Sequence, residues 1–98
     1  MDKWSLPRNF QLYFHEFDGE HVVYNSGSCN THLLDDFGYH TLLNLKSKST
    51  PLSLEQLTAL VADNLHLQLD QDLQDHMAKV IKDLNQQFLL ERVTIENC

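Results

Sequence analysis

The side chains that could bind a metal ion or take part in catalysis lie close together in one segment of the sequence. They are Cys29, His32, Asp35, Asp36 and His40. Thiolate, imidazole and carboxylate groups are the usual protein ligands of transition metals. Zinc sites usually draw two ligands from a short repeat such as Cys-x-x-Cys or His-x-x-x-His, and the segment contains neither. We therefore predict no bound metal and interpret these histidines as solvated or edge residues.

The same segment contains two arrangements that resemble catalytic pairs. Cys29 and His32 can be interpreted as a nucleophile and its base, but such a pair also needs an orienting group and an oxyanion site, and no pattern supplies them. Asp35 and Asp36 can be interpreted as an acid–base pair. They are also preferred helix-capping residues, and an apolar helical pattern follows them. We predict that they cap a helix, that the chain is not an enzyme and that it needs no cofactor.

The charge balance argues against a nucleic-acid partner. The sequence has 14 acidic and 7 basic residues, a formal charge of −7. A protein that holds a phosphate backbone presents clustered Lys and Arg. Here the basic residues are scattered, apart from the pairs Lys46–Lys48 and Lys79–Lys82. We predict no nucleic-acid partner.

The cellular location is also predicted from the sequence. No apolar run approaches the roughly 20 residues of a membrane helix, and the first residues lack the apolar core of a secretory signal. Two distant cysteines, Cys29 and Cys98, do not form a disulfide framework. These observations predict a cytoplasmic protein with no membrane partner.

A hairpin is the first element that would position the segment. Phe10–Phe17 is rich in aromatic residues, Glu20–Tyr24 is a return strand, and Asp18-Gly19 between them is a strong two-residue turn signal. This pairing places Phe17 opposite Glu20, Phe14 opposite Val23, and Tyr13 opposite Tyr24. One face then carries Phe10, Leu12 and Phe14, with Phe10 and Phe14 favoured as core, and the other carries Tyr13, His15 and Tyr24.

A third strand at Thr31–Leu34 runs directly into the first helix, at about Phe37–Lys46. Ser53 and Gln56 form a capping box for the second helix. The third helix covers about Asp70–Gln87. Its apolar stripe predicts packing on a core and consists of Leu73, Met77, Val80, Ile81, Leu84 and Phe88.

The remaining segments are short. Trp4–Pro7 is interpreted as a lead-in that packs down on the core, and Leu89–Ile95 as a short final strand. The element order predicts one α+β domain over residues 1–98, in which a three-stranded antiparallel sheet is followed by three helices that cover one face.

Several motifs in this order resemble a known family. They are Asp18-Gly19-Glu20 with Val22-Val23-Tyr24, Thr31-His32-Leu33-Leu34-Asp35, Gly38 with Leu42-Leu43, Ser53-Leu54-Glu55-Gln56-Leu57, and Leu89-Leu90-Glu91. Together they resemble the PqqD-like family of precursor-peptide recognition elements, which have a winged helix-turn-helix-like fold. The sequence is most similar to the variant described as the PqqD-family peptide chaperone of an HPr-kinase-related system. It departs from the family where Gln87 and Phe88 replace a glycine that often ends the third helix.

The resemblance implies a non-catalytic peptide chaperone. In such a protein the leader of a ribosomally made precursor peptide adds to the third strand, in a groove against the third helix, while a peptide-modifying enzyme acts on the rest of the peptide. The implied receiving edge is Thr31, His32, Leu33 and Leu34. The implied helical wall includes His76, Lys79, Val80 and Asp83.

Three other interpretations stay open at this point. The same element order serves winged-helix DNA-binding regulators, although Lys79 and Lys82 are the only basic residues of the third helix. A free strand edge can also pair with a second copy in a homodimer, or bind nothing. The chain can, finally, be a structural subunit of a larger enzyme.

Overall fold

Two antiparallel sheets and three helices make up the part of the chain that the structure, a computed structural model, describes: residues 2–9 and 11–94. The elements follow the order β1 (Asp2–Ser5), β2 (Leu12–Phe17), β3 (Glu20–Asn25), β4 (Asn30–Leu34), α1 (Asp36–Lys48), α2 (Leu54–Leu65), α3 (Gln71–Gln86) and β5 (Glu91–Thr94). Phe10, Ile95 and Cys98, for which the sequence made predictions, lie outside the described residues.

The predicted hairpin is confirmed in its register. β2 pairs with β3 so that Phe17 lies opposite Glu20, Phe14 opposite Val23, and Tyr13 opposite Tyr24. Asp18 and Gly19 both adopt positive φ, 52° and 78°. This is the left-handed backbone that a two-residue hairpin turn requires, and it fits the right-handed twist of the strands.

The three-stranded sheet has the order β2-β3-β4. Its inner face packs on the helices through buried Val23 and Leu34, with Phe14 partly buried against the same core. Its outer face leaves Tyr13 and Tyr24 exposed. The predicted division between the two faces of the hairpin is therefore confirmed for the described residues.

Each helix begins at a side-chain cap. The caps at Asp35 and Ser53 were predicted, whereas Asp36 is the first residue of α1 and the cap at Asp70 was not predicted. Asp35 caps α1 by accepting a hydrogen bond from the Gly38 amide at 2.8 Å. Ser53 and Gln56 form the capping box of α2, with hydrogen bonds of 3.2 and 2.9 Å. Asp70 caps α3. The caps satisfy amide groups that have no partner within a helix, which is why the starts were readable from sequence.

The N-terminal segment corrects one prediction. Trp4–Pro7 is predicted as a lead-in that packs on the core, and Trp4 and Leu6 do pack there. Its first residues, however, belong to β1, which pairs antiparallel with β5 in a second, two-stranded sheet. Trp4 also exchanges two backbone hydrogen bonds with Leu52, at 2.7 and 2.9 Å. The partners of β1 are distant in sequence, so its local pattern did not reveal them. The final strand was expected and is present.

Phe88 corrects a second prediction, because its side chain was expected in the core and is 68% exposed. α3 ends at Gln86, and Phe88 adopts a left-handed φ of 62°. The Leu89 amide then donates to the Leu84 carbonyl at 2.9 Å, which closes the helix end. This reversal turns Phe88 outward and buries Leu89 and Leu90 in its place.

The helices pack against each other and against the inner face of the sheet. Their buried stripes meet in a single core, formed mainly by Leu42, Leu45, Leu57, Val61, Leu73, Met77, Ile81 and Leu84. Within the described ranges, no helix combines the length and the apolarity needed to cross a membrane.

Candidate functional site

Within the described residues, β4 is an edge strand whose outward backbone groups have no hydrogen-bond partner. In the described sheet it pairs with β3 alone. Antiparallel residues alternate between directing their N–H and C=O groups to one neighbour and to the other. The Ser26 amide donates to the Gln11 carbonyl beside β2, so the even-numbered residues of β3 direct their backbone groups toward β2. The odd-numbered residues of β3 therefore direct theirs toward β4, where their partners include His32 and Leu34.

Thr31 and Leu33 therefore direct their backbone groups away from β3, toward the free edge. Each offers one N–H and one C=O. Among the residues that the structure describes, no other strand occupies this edge. The Leu33 side chain is also 65% exposed. A visiting strand would find both backbone partners and apolar surface there.

A groove of about 290 Å³ separates this edge from α3. Leu33 and Leu34 form the sheet side, and Val80, Asp83 and Leu84 form the helix side. Its lining also contains Asp35, Gly38 and Gln87. The groove combines an open strand edge with a flanking wall, so an extended chain can be contacted through its backbone and its side chains together.

Gly38 forms part of the floor of this groove. A Cβ built on Gly38 would lie 3.4 Å from the Asp35 carboxylate and 3.5 Å from a Leu34 methyl carbon, and its three nearest neighbours are all side-chain atoms. A glycine in the first turn of a helix can allow another backbone to approach closely, but none of the three atoms nearest to this position belongs to a backbone of the described residues. The missing side chain instead keeps space open beside β4.

A second concavity, of about 410 Å³, continues the groove past the end of β4. The two share Leu33, Leu34 and Asp35, and the second adds Glu20 and Asp36. In the part of the chain that the structure describes, no Lys or Arg lines either of them. The joined surface therefore presents carboxylates around an apolar strip.

His21 supports the far end of this surface. Its Nε2 lies 3.1 Å from Asp36 Oδ1, and its ring stacks on Tyr39 with the ring centroids 3.8 Å apart and an interplanar angle of 12°. The ring stacking and the hydrogen bond between His21 and Asp36 fix the N-terminal turn of α1 against β3. Glu20 and Asp83 are exposed carboxylates, whereas Asp35 and Asp36 already have partners as a helix cap and with His21.

The residues implied for the strand edge divide between two faces. Thr31 and Leu33 are exposed, Leu34 is buried, and His32 is partly buried with an Nε2 atom that has no hydrogen-bond partner in the described part of the chain. Of these four residues, only Leu33 and Leu34 line the groove. Thr31 contributes its outward backbone.

The residues implied for the helical wall also divide. Val80 and Asp83 line the groove. His76 instead packs edge-on against Phe37, with ring centroids 4.5 Å apart, and lines a separate depression. Lys79 is exposed and lines neither. The groove thus uses the half of the proposed wall that lies nearer the end of α3.

Sequence reasoning missed Gln87 as a lining residue, although a signal was present. Val80, Asp83 and Gln87 are spaced by three and four positions, which places them along one face of a helix. Gly38 was noticed, but its position in the groove depends on how α1 packs beside β4.

Cys29 and His32, which could have formed a nucleophile and its base, are not joined by a hydrogen bond. Cys29 is exposed, with its Sγ 3.8 Å from the Ser26 carbonyl oxygen. Among the described residues, no group of three or more His, Cys, Asp or Glu side chains could hold a metal ion. Cys29 does affect Tyr24: a side-chain hydrogen bond with Cys29 and the electrostatic influence of that residue raise the pKa of the Tyr24 phenol.

Comparison with known proteins adds no assignment, since no family model, no curated protein and no solved structure matches the chain.

Proposed function

We propose that this protein is a non-catalytic peptide chaperone that binds the leader of a ribosomally made precursor peptide by β-strand addition and presents it to a modifying enzyme. The observation that carries the proposal is the edge of β4, which is paired on one side only and faces a groove against α3. The resemblance to the PqqD-like family supports the choice of ligand, and we propose the winged helix-turn-helix-like arrangement of that family for this chain.

The binding mode follows from the backbone. Thr31 and Leu33 present N–H and C=O groups to the groove, and strand addition takes its affinity from such main-chain hydrogen bonds. Side chains of the added strand alternate between two faces. One set would lie in the groove, over Val80 and Gly38, and the other would lie beside the exposed Leu33 side chain.

The charge of the surface specifies the ligand further. Glu20 and Asp83 border the joined concavities, which no Lys or Arg of the described residues lines. An extended peptide with Lys or Arg among apolar residues would complement this surface, and added salt would weaken the ionic part of its binding. An acidic peptide would be repelled.

A pair of variants at Leu33 tests the backbone contribution. Leu33→Pro removes the outward N–H, and proline is tolerated at strand edges. Leu33→Ala removes the side chain and keeps the N–H, so it serves as the matched control. Peptides selected from a random 12-residue display library would be titrated against both variants and the parent protein, and amide chemical shifts would locate the contacts.

We expect shifts at Thr31, Leu33 and the groove side of α3. Leu33→Pro should bind at least about tenfold more weakly than Leu33→Ala, which corresponds to one lost backbone hydrogen bond. Circular dichroism checks that both variants are folded. Equal peptide affinity of the two variants would contradict binding by β-strand addition at Leu33.

Two further outcomes would replace the proposed function. Tight binding of duplex DNA that weakens steeply with salt would favour a winged-helix regulator, although α3 presents Lys79 and Lys82 among acidic residues. Sedimentation as a dimer that Leu33→Pro dissociates would show that the β4 edge pairs with a second copy.

A further inference from the structure

A separate cavity, of about 460 Å³, lies between the β1–β5 sheet and the C-terminal end of α1, away from the groove and the concavity beside β4. It shares no lining residue with the groove beside β4 or with the concavity that continues that groove. Its volume falls within the range of small-molecule sites, about 300–1,000 Å³. The proposed peptide function makes no use of it.

The body of this cavity is apolar. Leu6, Leu45, Pro51 and Val93 come from four different segments and surround it. The hydroxyl-bearing residues Ser5, Ser49 and Thr50 also contribute to the lining. Sites for small ligands are typically built this way, from an apolar lining with a few polar groups that fix the ligand's orientation.

The charged residues in the lining are both basic, although the protein as a whole is acidic. They are Arg8 and Lys46, and among the described residues no Asp or Glu lines the cavity. Arg8 is already engaged, because its Nε lies 3.6 Å from a carboxylate oxygen of Glu91. Lys46 makes no ion pair within the described part of the chain. A single ammonium group is thus left to meet an anion.

Lys46 also connects the cavity to its neighbour. A concavity of about 360 Å³ shares Leu6 and Lys46 with it and extends toward Leu12 and Phe14 of β2. The Lys46 ammonium lies 5.2 Å from the centre of the Phe14 ring, a cation–π distance. This contact holds the charge at the boundary between the two spaces.

We propose that this cavity binds a small amphipathic monocarboxylate, a molecule with an apolar body and one carboxylate. The apolar body lies among Leu6, Leu45 and Val93, and the carboxylate meets the Lys46 ammonium. One uncommitted cation balances one negative charge, which favours a carboxylate over a doubly charged phosphate. Because the cavity is separate from β4, its ligand can bind together with a peptide.

The test uses decanoate below its micelle concentration, with decyltrimethylammonium as a probe of equal chain length and opposite charge. Amide chemical shifts are followed in the full chain. We expect saturable shifts at Leu45, Thr50 and Val93 with decanoate, and none there with decyltrimethylammonium at the same concentration.

Lys46→Gln and Lys48→Gln form a matched pair of variants. Both remove one charge from the last turns of α1, but Lys48 does not line the cavity. Lys46→Gln should weaken decanoate binding about tenfold, the loss of one charge-assisted hydrogen bond. Lys48→Gln should leave it within about twofold, as expected for a screened surface charge.

Three results would overturn the proposal: no saturable shift with decanoate, equal shifts with the cationic probe, or equal weakening by the two variants. Shifts confined to Thr31 and Leu33 would also overturn it, since decanoate would then occupy the β4 edge. None of these results bears on peptide binding, which the Leu33 variants test separately.

Discussion

The Asn25 side chain donates a hydrogen bond from Nδ2 to the Phe88 carbonyl at 3.2 Å, which ties the end of β3 to the end of α3. Asn25 is fully buried. Its Oδ1 also accepts hydrogen bonds from the amides of Gly27 and Ser28, at 2.8 and 3.2 Å. One side chain thereby holds the β3–β4 turn and the C-terminal end of α3 together, and so fixes one end of the groove between β4 and α3.

Replacing Asn25 by Ala should lower the free energy of unfolding by about 2–4 kcal/mol, because it leaves buried polar groups without partners. Asn30→Ala is the control: Asn30 lies opposite Asn25 in the register but is exposed. We expect that control to cost less than about 0.5 kcal/mol. Urea unfolding measures both, and equal losses would show that Asn25 is not the tie between sheet and helix.

Gly38→Ala should separate stability from binding. Alanine at a helical position is more favourable than glycine by up to about 1 kcal/mol, and the added Cβ makes contacts of 3.4 and 3.5 Å that the site can accommodate. The same methyl group narrows the groove beside Leu34. We expect a higher midpoint of thermal unfolding together with weaker peptide binding.

Ala59→Gly provides the inverse control for that experiment, since Ala59 is an exposed residue of α2 away from the groove. It should lower the midpoint and leave peptide affinity unchanged. If Gly38→Ala bound peptide as tightly as the parent protein, Gly38 would have no part in the site.

At position 88, glycine should be more stabilising than alanine, the reverse of their usual order within a helix. Phe88 has a φ of 62°, which suits glycine and strains any residue with a Cβ, and its side chain is exposed, so little packing is lost on replacement. Phe88→Gly should therefore be more stable than Phe88→Ala by about 1 kcal/mol. Denaturant unfolding of the two variants compares them directly, and a more stable alanine variant would show that the helix ends differently in solution.

Cys29→Ala should lower the pKa of Tyr24 toward its ordinary value of about 10, since the hydrogen bond with Cys29 is the main cause of the rise. A raised pKa means that folding favours the neutral phenol. Its contribution to stability is present below pH of about 10 and is lost as the pH rises through the raised pKa.

Ultraviolet absorbance of the tyrosinate form during an alkaline titration measures this pKa, and Tyr24→Phe identifies which transition belongs to Tyr24. If the titration of Tyr24 were unchanged in Cys29→Ala, the thiol would not be its partner. The same titration on Ser28→Ala, altered in the same turn, controls for a general effect on the β3–β4 connection.

The features that were predictable from sequence are those that depend on neighbouring residues. The Asp18-Gly19 turn fixes the hairpin register through its backbone angles alone, and the caps at Asp35 and Ser53 act within one helical turn. β1 was missed because its pairing depends on β5, far along the chain. Phe88 was misplaced because the apolar period continues through it while the helix stops before it.

The candidate groove was predictable only in outline. The edge at Thr31–Leu34 follows from strand order, but the extent of the helical wall depends on where α3 passes β4. His76 lies on the same helical face as Val80 and Asp83, one turn earlier, where Phe37 rather than β4 faces it. The position at which α3 passes β4 cannot be predicted from a local sequence pattern.

The β1–β5 sheet has a mechanical consequence. Asp2 lies opposite Thr94, and the strands run inward together from that pair to Ser5 opposite Glu91. A pulling force applied at these two positions would load the interstrand hydrogen bonds one after another, as in a zipper, and not all at once as in shear. The two Trp4–Leu52 hydrogen bonds would come under load after the outer pairs had separated, so the force would reach the segment before α2 while Ser5 was still opposite Glu91.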